Sequence, residues 1–341
     1  MKYTLVLAGA VAAALMLGGC GKTTPVTSGT ASPSPTYSPT VSAEYPIPTA
    51  NAKPAGITRT STALWFTEEA ADQIGALSEA ATISEYPVPT ANAKPLNITL
   101  GQDGNLWFTE FAGAQIGKVS QSGTSFVECP LPTEGGLTPT PFGIAADNQG
   151  NLWVTDPGTN GLWMVTTGCV ATFFALPISN AGPESITAGP NGALWFVETN
   201  ANEIGEIPST ATSASQIQSF PINTPNAGLG VIVTGQDGAL WFTETKADKL
   251  GRMLTTGQVT AETTLTGVTS PYGLVSAPDG NFYIADQTSS AIVQYLASSG
   301  TVTSYPTKTP NAGPFWLTIG PDNEVYFTEQ TANNIGQFRY F

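Results

Sequence analysis

A five-residue phrase, Leu-Trp-Phe-Thr-Glu or a close variant, occurs seven times in this chain, and that repetition limits the fold more than any single residue. The copies are Leu64–Glu68, Leu106–Glu110, Leu152–Asp156, Leu194–Glu198, Leu240–Glu244, Phe282–Asp286 and Val325–Glu329. Their terminal carboxylates are 42, 46, 42, 46, 42 and 43 residues apart. Six residues beyond each stands an aliphatic side chain: Ile74, Ile116, Leu162, Ile204, Leu250, Ile292 and Ile335. A period in the forties marks a repeat array in which every copy is one supersecondary unit. Length alone would suggest about two domains; the repeat overrides that expectation.

Each unit reads as four short strands with almost no helix. In the second copy, Asn97–Leu100 is an apolar run, Gly101-Gln102-Asp103-Gly104 a tight turn, and Asn105–Glu110 an aromatic strand. Phe111–Gln115 follows as a loop, then Ile116–Ser120 and Ser125–Leu131 as the third and fourth strands. The aromatic strand is apolar on both faces, Leu106 and Phe108 on one and Trp107 on the other, so it must be covered on both sides. Four-stranded sheets repeated radially meet that need, which predicts an all-β, seven-bladed β-propeller. An open solenoid is the rival, but it needs polar capping repeats, and the first and last copies here are as apolar as the rest.

The fourth strands resemble Glu-Tyr-Pro-x-Pro: Glu85–Pro89, Glu128–Pro132, Phe173–Pro177, Ser219–Ile222, Glu262–Thr266 and Ser304–Thr307. A further copy, Glu44–Pro48, precedes the first aromatic strand, whereas the last repeat ends at Phe341 without one. The N-terminal segment is therefore expected to complete the last blade and lock the ring. Proline suits an outer edge strand, where one N–H has no partner to lose. The propeller is assigned to residues 44–341.

Residues 1–19 read as an export signal: a basic start at Met1-Lys2, an apolar stretch from Thr4 to Leu17, and Leu17-Gly18-Gly19-Cys20 at its end. The stretch is shorter than the ~20 residues a spanning helix needs. The tetrad resembles the lipobox of bacterial lipoproteins, which implies acylation at Cys20 and anchoring in a lipid bilayer through acyl chains. Gly21 after the cysteine implies that outer-membrane placement is permitted in a cell with two membranes. Residues 20–43 are rich in Ser, Thr and Pro and read as a disordered tether. The net charge of −14 offers no basic stripe, which argues against nucleic acid and anionic lipid as partners. Cys129 and Cys169 fall in the outer region of adjacent blades; an exported domain permits a bridge, and two buried free thiols are the alternative. A monomer is expected.

Pockets form where two sets of loops open on one end of a propeller channel. At the loop entering each inner strand, the residue expected at the mouth is in order Ala55, Leu96, Phe142, Glu184, Gly230, Tyr272 and Phe315. Beside these stand Gly56, Asn97, Gly143, Ser185, Val231, Gly273 and Trp316. These positions vary while the framework repeats, which is how a specific ligand would be read. Phe142, Glu184, Tyr272, Phe315 and Trp316 are the candidate ligand-binding residues. The seven repeated carboxylates are expected to be structural, each accepting N–H bonds from the turn after its strand. The repeated Trp residues are assigned to packing between blades. The Asp-Gly turns read as hairpins rather than calcium loops, since they lack the further acids of an EF-hand. No phosphate loop, dinucleotide fingerprint or Cys/His metal set is present, and the chain has no histidine.

Units such as Gly-Ile-Thr-x-Gly-x-Asp-Gly-Asn-Leu-Trp-Phe-Thr-Glu-x-x-x-x-x-Ile-Gly, joined by Glu-Tyr-Pro-x-Pro-Thr, resemble the virginiamycin B lyase (streptogramin B lyase) family across residues 44–341. The resemblance implies a seven-bladed propeller that linearises cyclic depsipeptides by elimination, assisted by magnesium. It places catalytic histidines in the loops entering the last two blades, a Glu just before the second of them, and another Glu in the last blade's second-to-third strand loop. Here Tyr272 and Phe315 occupy the histidine positions, Gly313 the first Glu, and Gln330 or Thr331 the second. No catalytic residue, metal or cofactor is therefore assigned. The expected function is a surface-anchored binding module for a small molecule, peptide or envelope protein. The alternatives are a divergent lyase or hydrolase using Glu184, a framework acid and Mg or Ca, and a structural envelope protein.

Overall fold

The computed structural model describes residues 38–341. Seven separate four-stranded antiparallel sheets account for almost all of them, and among the described residues there is no α-helix, only a 3-10 turn at Ala214–Gln216. Blade 2 is representative, with strands Pro95–Leu100, Leu106–Glu110, Gln115–Val119 and Phe126–Pro130 paired in sequence from the inside out. Inner strands of successive blades pack side by side all the way round, the seventh (Pro314–Ile319) against the first (Pro54–Arg59). The ring is closed as expected. Blade 7 takes its outer strand from Thr40–Pro46, which pairs antiparallel with Asn334–Arg339. That strand begins four residues before the boundary read from the sequence, because Val41 is buried against the last blade's core beside Phe338.

The repeated phrase owes its constancy to packing. Its Leu and Phe fill the blade's own core, while its Trp crosses to the next blade. Trp65 packs with Ile98, Leu106 and Phe108, Trp107 with Ile144, Leu152 and Val154, and Trp195 with Ile232, Leu240 and Phe242. Tyr283 and Tyr326 do the same for blades 7 and 1. Burying an aromatic side chain this fully contributes about 1.5–3 kcal/mol. Each indole or phenol needs an acceptor once buried, and the hairpin turns supply it. Trp107 Nε1 donates to Asp103 at 3.0 Å, Trp153 to Asp147 at 2.9 Å, Trp241 to Asp237 at 3.1 Å, and Tyr326 Oη to Asp322 at 2.9 Å. These turn aspartates, those of the Asp-Gly pairs Asp103-Gly104 and Asp237-Gly238 included, are thus occupied by their own strand's aromatic.

Cys129 and Cys169 are joined in a disulfide with a Cα–Cα distance of 5.1 Å. Cys129 lies on the outer strand of blade 2, and Cys169 on the hairpin before the outer strand of blade 3, where its positive φ of 63° turns it inward. The bridge staples two neighbouring blades across a sequence separation of 40. Loop-closure entropy makes its loss worth about 4 kcal/mol. The Cys129→Ser/Cys169→Ser protein is expected to keep its β-sheet circular dichroism and melt several degrees lower; an unchanged melt would show that the bridge does not stabilise the ring. The export signal and Cys20 lie outside the described residues.

Candidate functional site

Six of the seven inner strands begin with an irregularity. In these blades the pairing register shifts just after the first residue, as between Pro54 and Ile57 or Pro314 and Leu317, so two residues leave the ladder at the channel entrance. Bulges of this kind re-aim side chains, and these two residues are the pair singled out above. What holds them is the Thr of the repeated phrase. Thr67, Thr109, Thr155, Thr243 and Thr328 accept from the backbone N–H of Gly56, Asn97, Gly143, Val231 and Trp316 at 2.8–3.1 Å. The same hydroxyls donate to the next blade's mouth carbonyls at Leu96, Phe142, Glu184, Tyr272 and Ala55. A belt of hydroxyls therefore stitches the mouth from blade to blade. It is interrupted where Val197 and Ala285 replace Thr. At the first gap Thr199 Oγ1 donates to the Leu229 carbonyl at 3.2 Å instead. The fourth letter of the phrase carried this signal, and the sequence reading passed over it.

Three of the five candidate residues are brought together. The rings of Tyr272 and Phe315 stack with centroids 4.6 Å apart and 11° between planes, and Trp316 stands edge-on to Tyr272 at 6.2 Å. Trp316 also lines the central channel with Asn97, Gly143, Ser185 and Val231, around a cavity of about 170 Å³. All three aromatics are half-buried. Tyr272 leans over blade 5: a Cβ on Gly230 would sit 2.8 Å from the hydroxyls of Thr243 and Thr245 and 3.3 Å from Tyr272 Cδ2, so the bare glycine makes room for those hydroxyls and for the ring. Burial, followed by the negative charge of Glu184, pushes the Tyr272 phenol well above its usual range. Glu184 is the one charged residue among the fourteen mouth positions. Burial pushes its carboxyl up, partly offset by the nearby Thr199 hydroxyl. Phe142 is half-buried on the far side and makes no ring contact with the trio.

The repeated acids differ from expectation in an instructive way. Asp156 accepts N–H bonds from Thr140, Gly158 and Thr159 at 2.8–3.2 Å, and Asp286 from Thr269 and Ser289 at 3.1 and 3.2 Å, as a turn-stabilising role requires. The five glutamates do not. Both carboxyl oxygens of Glu68, Glu198 and Glu244, and one each of Glu110 and Glu329, are buried without a donor. The reason lies on the third strand. Where that strand carries Gly75, Gly117, Gly205, Gly251 or Gly336, the neighbouring Phe fills the vacant side-chain space, joined at Gly75 by Glu68 Oε1, and the acid is the longer Glu. Where Trp163 or Val293 fills it, the acid shortens to Asp. Glu85, Glu128, Glu262 and Glu44 of the outer strands lie beside Glu68, Glu110, Glu244 and Glu329. Burial first, and a neighbouring acid second (Glu203 of its own third strand in the case of Glu198), push Glu68 and Glu329 up to about 8 and Glu110, Glu198 and Glu244 up to about 7. The ring of acids thus faces the outer strands. Among the described residues no cluster of three or more acids or cysteines could hold a metal ion.

The architecture has close counterparts among solved structures. A streptogramin B lyase structure superposes with a TM-score of 0.81 at 30% identity, covering 88% of this chain and 97% of that one. Virginiamycin B lyase from Staphylococcus aureus gives 0.81 at 28% identity over 88% and 99% of the two chains. The extracellular domain of a two-component system protein from B. thetaiotaomicron shares the fold alone, with a TM-score of 0.66 at 13% identity over 84% of this chain and 40% of that one. Among curated protein sequences none matches significantly. The model of the virginiamycin B lyase family matches residues 36–155 and 209–340. With its blades, its N-terminal closure and most of its length accounted for by that match, the chain belongs to the virginiamycin B lyase family.

Proposed function

We propose that this protein is a non-catalytic binding propeller, exported and held to the cell envelope through acylated Cys20, that receives its ligand at the aromatic mouth. The observation that carries the reading is the Tyr272–Phe315–Trp316 trio on the two loops where the family's catalytic groups would stand. The side chains at those positions are a phenol held protonated by burial, a phenyl ring, Gly313, and the amide of Gln330 or the hydroxyl of Thr331. Magnesium takes hard oxygen ligands in near-octahedral array, and this set does not fit it. Nor does it offer a base near neutral pH, since Tyr272 is shifted away from that range. Half-buried aromatics at a concave entrance are instead common anchors of recognition. The Cys129–Cys169 bridge supports an oxidising compartment and hence export.

Two measurements test this. Incubated with quinupristin and Mg²⁺, the protein is expected to leave the antibiotic ring closed; mass-spectrometric detection of the linear product would overturn the non-catalytic reading. The Phe315→Ala/Trp316→Ala variant is expected to lose at least about tenfold in affinity for whatever the mouth holds, the scale of two lost aromatic contacts, while its melt stays within a few degrees. Unchanged binding would move the site elsewhere.

A further inference from the structure

Glu184 has no cation. Its causes of perturbation are burial and the Thr199 hydroxyl, with no Lys or Arg among them, and none of the ion pairs among the described residues includes it. Leaving a carboxylate half-buried and uncompensated is unfavourable unless something else meets it. The neighbouring position on blade 5 is Gly230, where the place of a side chain is taken by the hydroxyls of Thr243 and Thr245 and by the ring edge of Tyr272. Tyr272 leans toward that glycine, with one ring face stacked on Phe315. Trp316 adds an indole at the head of the channel. A single carboxylate whose charge reaches a group of aromatic rings suits recognition of an ammonium group: the ring quadrupoles attract the cation and the carboxylate neutralises it.

From this geometry we infer that the mouth selects an organic cation, an alkylammonium group held between Glu184 and the Tyr272–Phe315–Trp316 trio. The inference rests on the mouth being the binding site and adds the chemical class of what binds there. It also gives the bare Gly230 a role: a side chain at that position would press on the Thr243 and Thr245 hydroxyls, which hold the Tyr272 and Pro271 carbonyls, and on the Tyr272 ring itself.

Choline and 3,3-dimethylbutan-1-ol have nearly the same shape and differ in charge, so they isolate the cation. In NMR titrations of the full chain at pH 8, choline is expected to saturate, and to bind at least about tenfold more tightly than the neutral alcohol, a difference of about 1.4 kcal/mol. Glu184→Gln is expected to erase that difference while keeping the wild-type melt, and Glu184→Asp to restore part of it. If choline binds no better than the alcohol, or keeps its advantage in Glu184→Gln, the inference is wrong. If both probes bind equally and both are lost in Phe315→Ala/Trp316→Ala, the mouth stands as a site and only the cation selectivity falls. Absence of saturable choline binding overturns the inference outright.

Discussion

A chain begun at Ile47, lacking the closing strand Thr40–Pro46, is expected to lose at least about 5 kcal/mol relative to one begun at Ser38, a loss comparable to the whole stability of many domains. The strand supplies a six-residue ladder to Asn334–Arg339, with Thr40, Val41, Ala43, Glu44, Tyr45 and Pro46 all registered. It buries Val41 in the last blade's core. Without it, the fully buried Phe338 and Ile335 would meet solvent along an unpaired edge. Glu44 adds a second hold, since its carboxylate accepts from Lys308 N at 2.6 Å, Thr309 N at 3.0 Å and Thr309 Oγ1 at 2.6 Å, tying the strand to blade 6. Charge-assisted hydrogen bonds of this type contribute about 1.5–3 kcal/mol each when well formed. The truncated protein is expected to melt far lower or to associate through its open edge. A synthetic peptide of residues 38–48 added in trans is expected to restore part of the melt. A truncated chain as stable as the longer one would show that the ring holds without its closing strand.

The ring was legible because one physical requirement recurs in every copy. A strand buried on both faces between neighbouring sheets must be apolar throughout, and a spare Glu-Tyr-Pro segment at one end must complete a blade short of a strand at the other. The start of that strand was less visible, because Thr40-Val41-Ser42-Ala43 offers only Val41 as a strong apolar residue and the preceding stretch is rich in the same Ser and Thr. The disulfide could not be read because Cys129 and Cys169 occupy unequal positions in their repeats, and only the packing of blade 3 on blade 2 brings them within reach. At the mouth the variable positions were readable, but not which way their side chains point. That depends on the threonine belt and on the bulge after the first residue of an inner strand, which together place Tyr272 beside Gly230; blade 3, carrying Phe142, lacks that bulge. The trade of Gly and Glu for Trp163 or Val293 and Asp was present in the sequence. It takes on meaning only once the second and third strands are set in register.

Melting temperature is expected to be highest near pH 5 and to fall by on the order of 10 °C by pH 8. The five buried glutamates decide the upper side. Their folded pKa values, about 7 for Glu110, Glu198 and Glu244 and about 8 for Glu68 and Glu329, lie above the roughly 4.3 of an unfolded glutamate. A raised acid binds its proton more tightly when folded, so its contribution is complete below the unfolded value and is lost as pH rises through the folded one. Each site can remove up to about 1.4 kcal/mol per pH unit over that window. Water entry and small rotations relieve part of this on ionisation, so a total of about 5 kcal/mol is expected, and at about 2–4 °C per kcal/mol it gives the stated fall. The lower side belongs to Asp103 and Asp237. Burial opposes their ionisation, but donors from Asn105 and Trp107, and from Trp241 and Arg252, outweigh it and hold both carboxyls below their usual values. Their stabilisation is present above the unfolded value near 3.9 and is lost as pH drops through the folded one. General repulsion in a chain of charge −14 also grows with pH, and the Glu68→Gln/Glu329→Gln protein separates the two causes. Removing two charges barely alters the general field, yet the neutral amides remove two of the five penalties, so this variant is expected to match wild type at pH 5 and to melt several degrees higher at pH 8. If wild type melts alike at pH 5 and pH 8, or if the amides destabilise the protein at pH 8, the buried glutamates are ionised in the fold and have donors that their surroundings do not reveal.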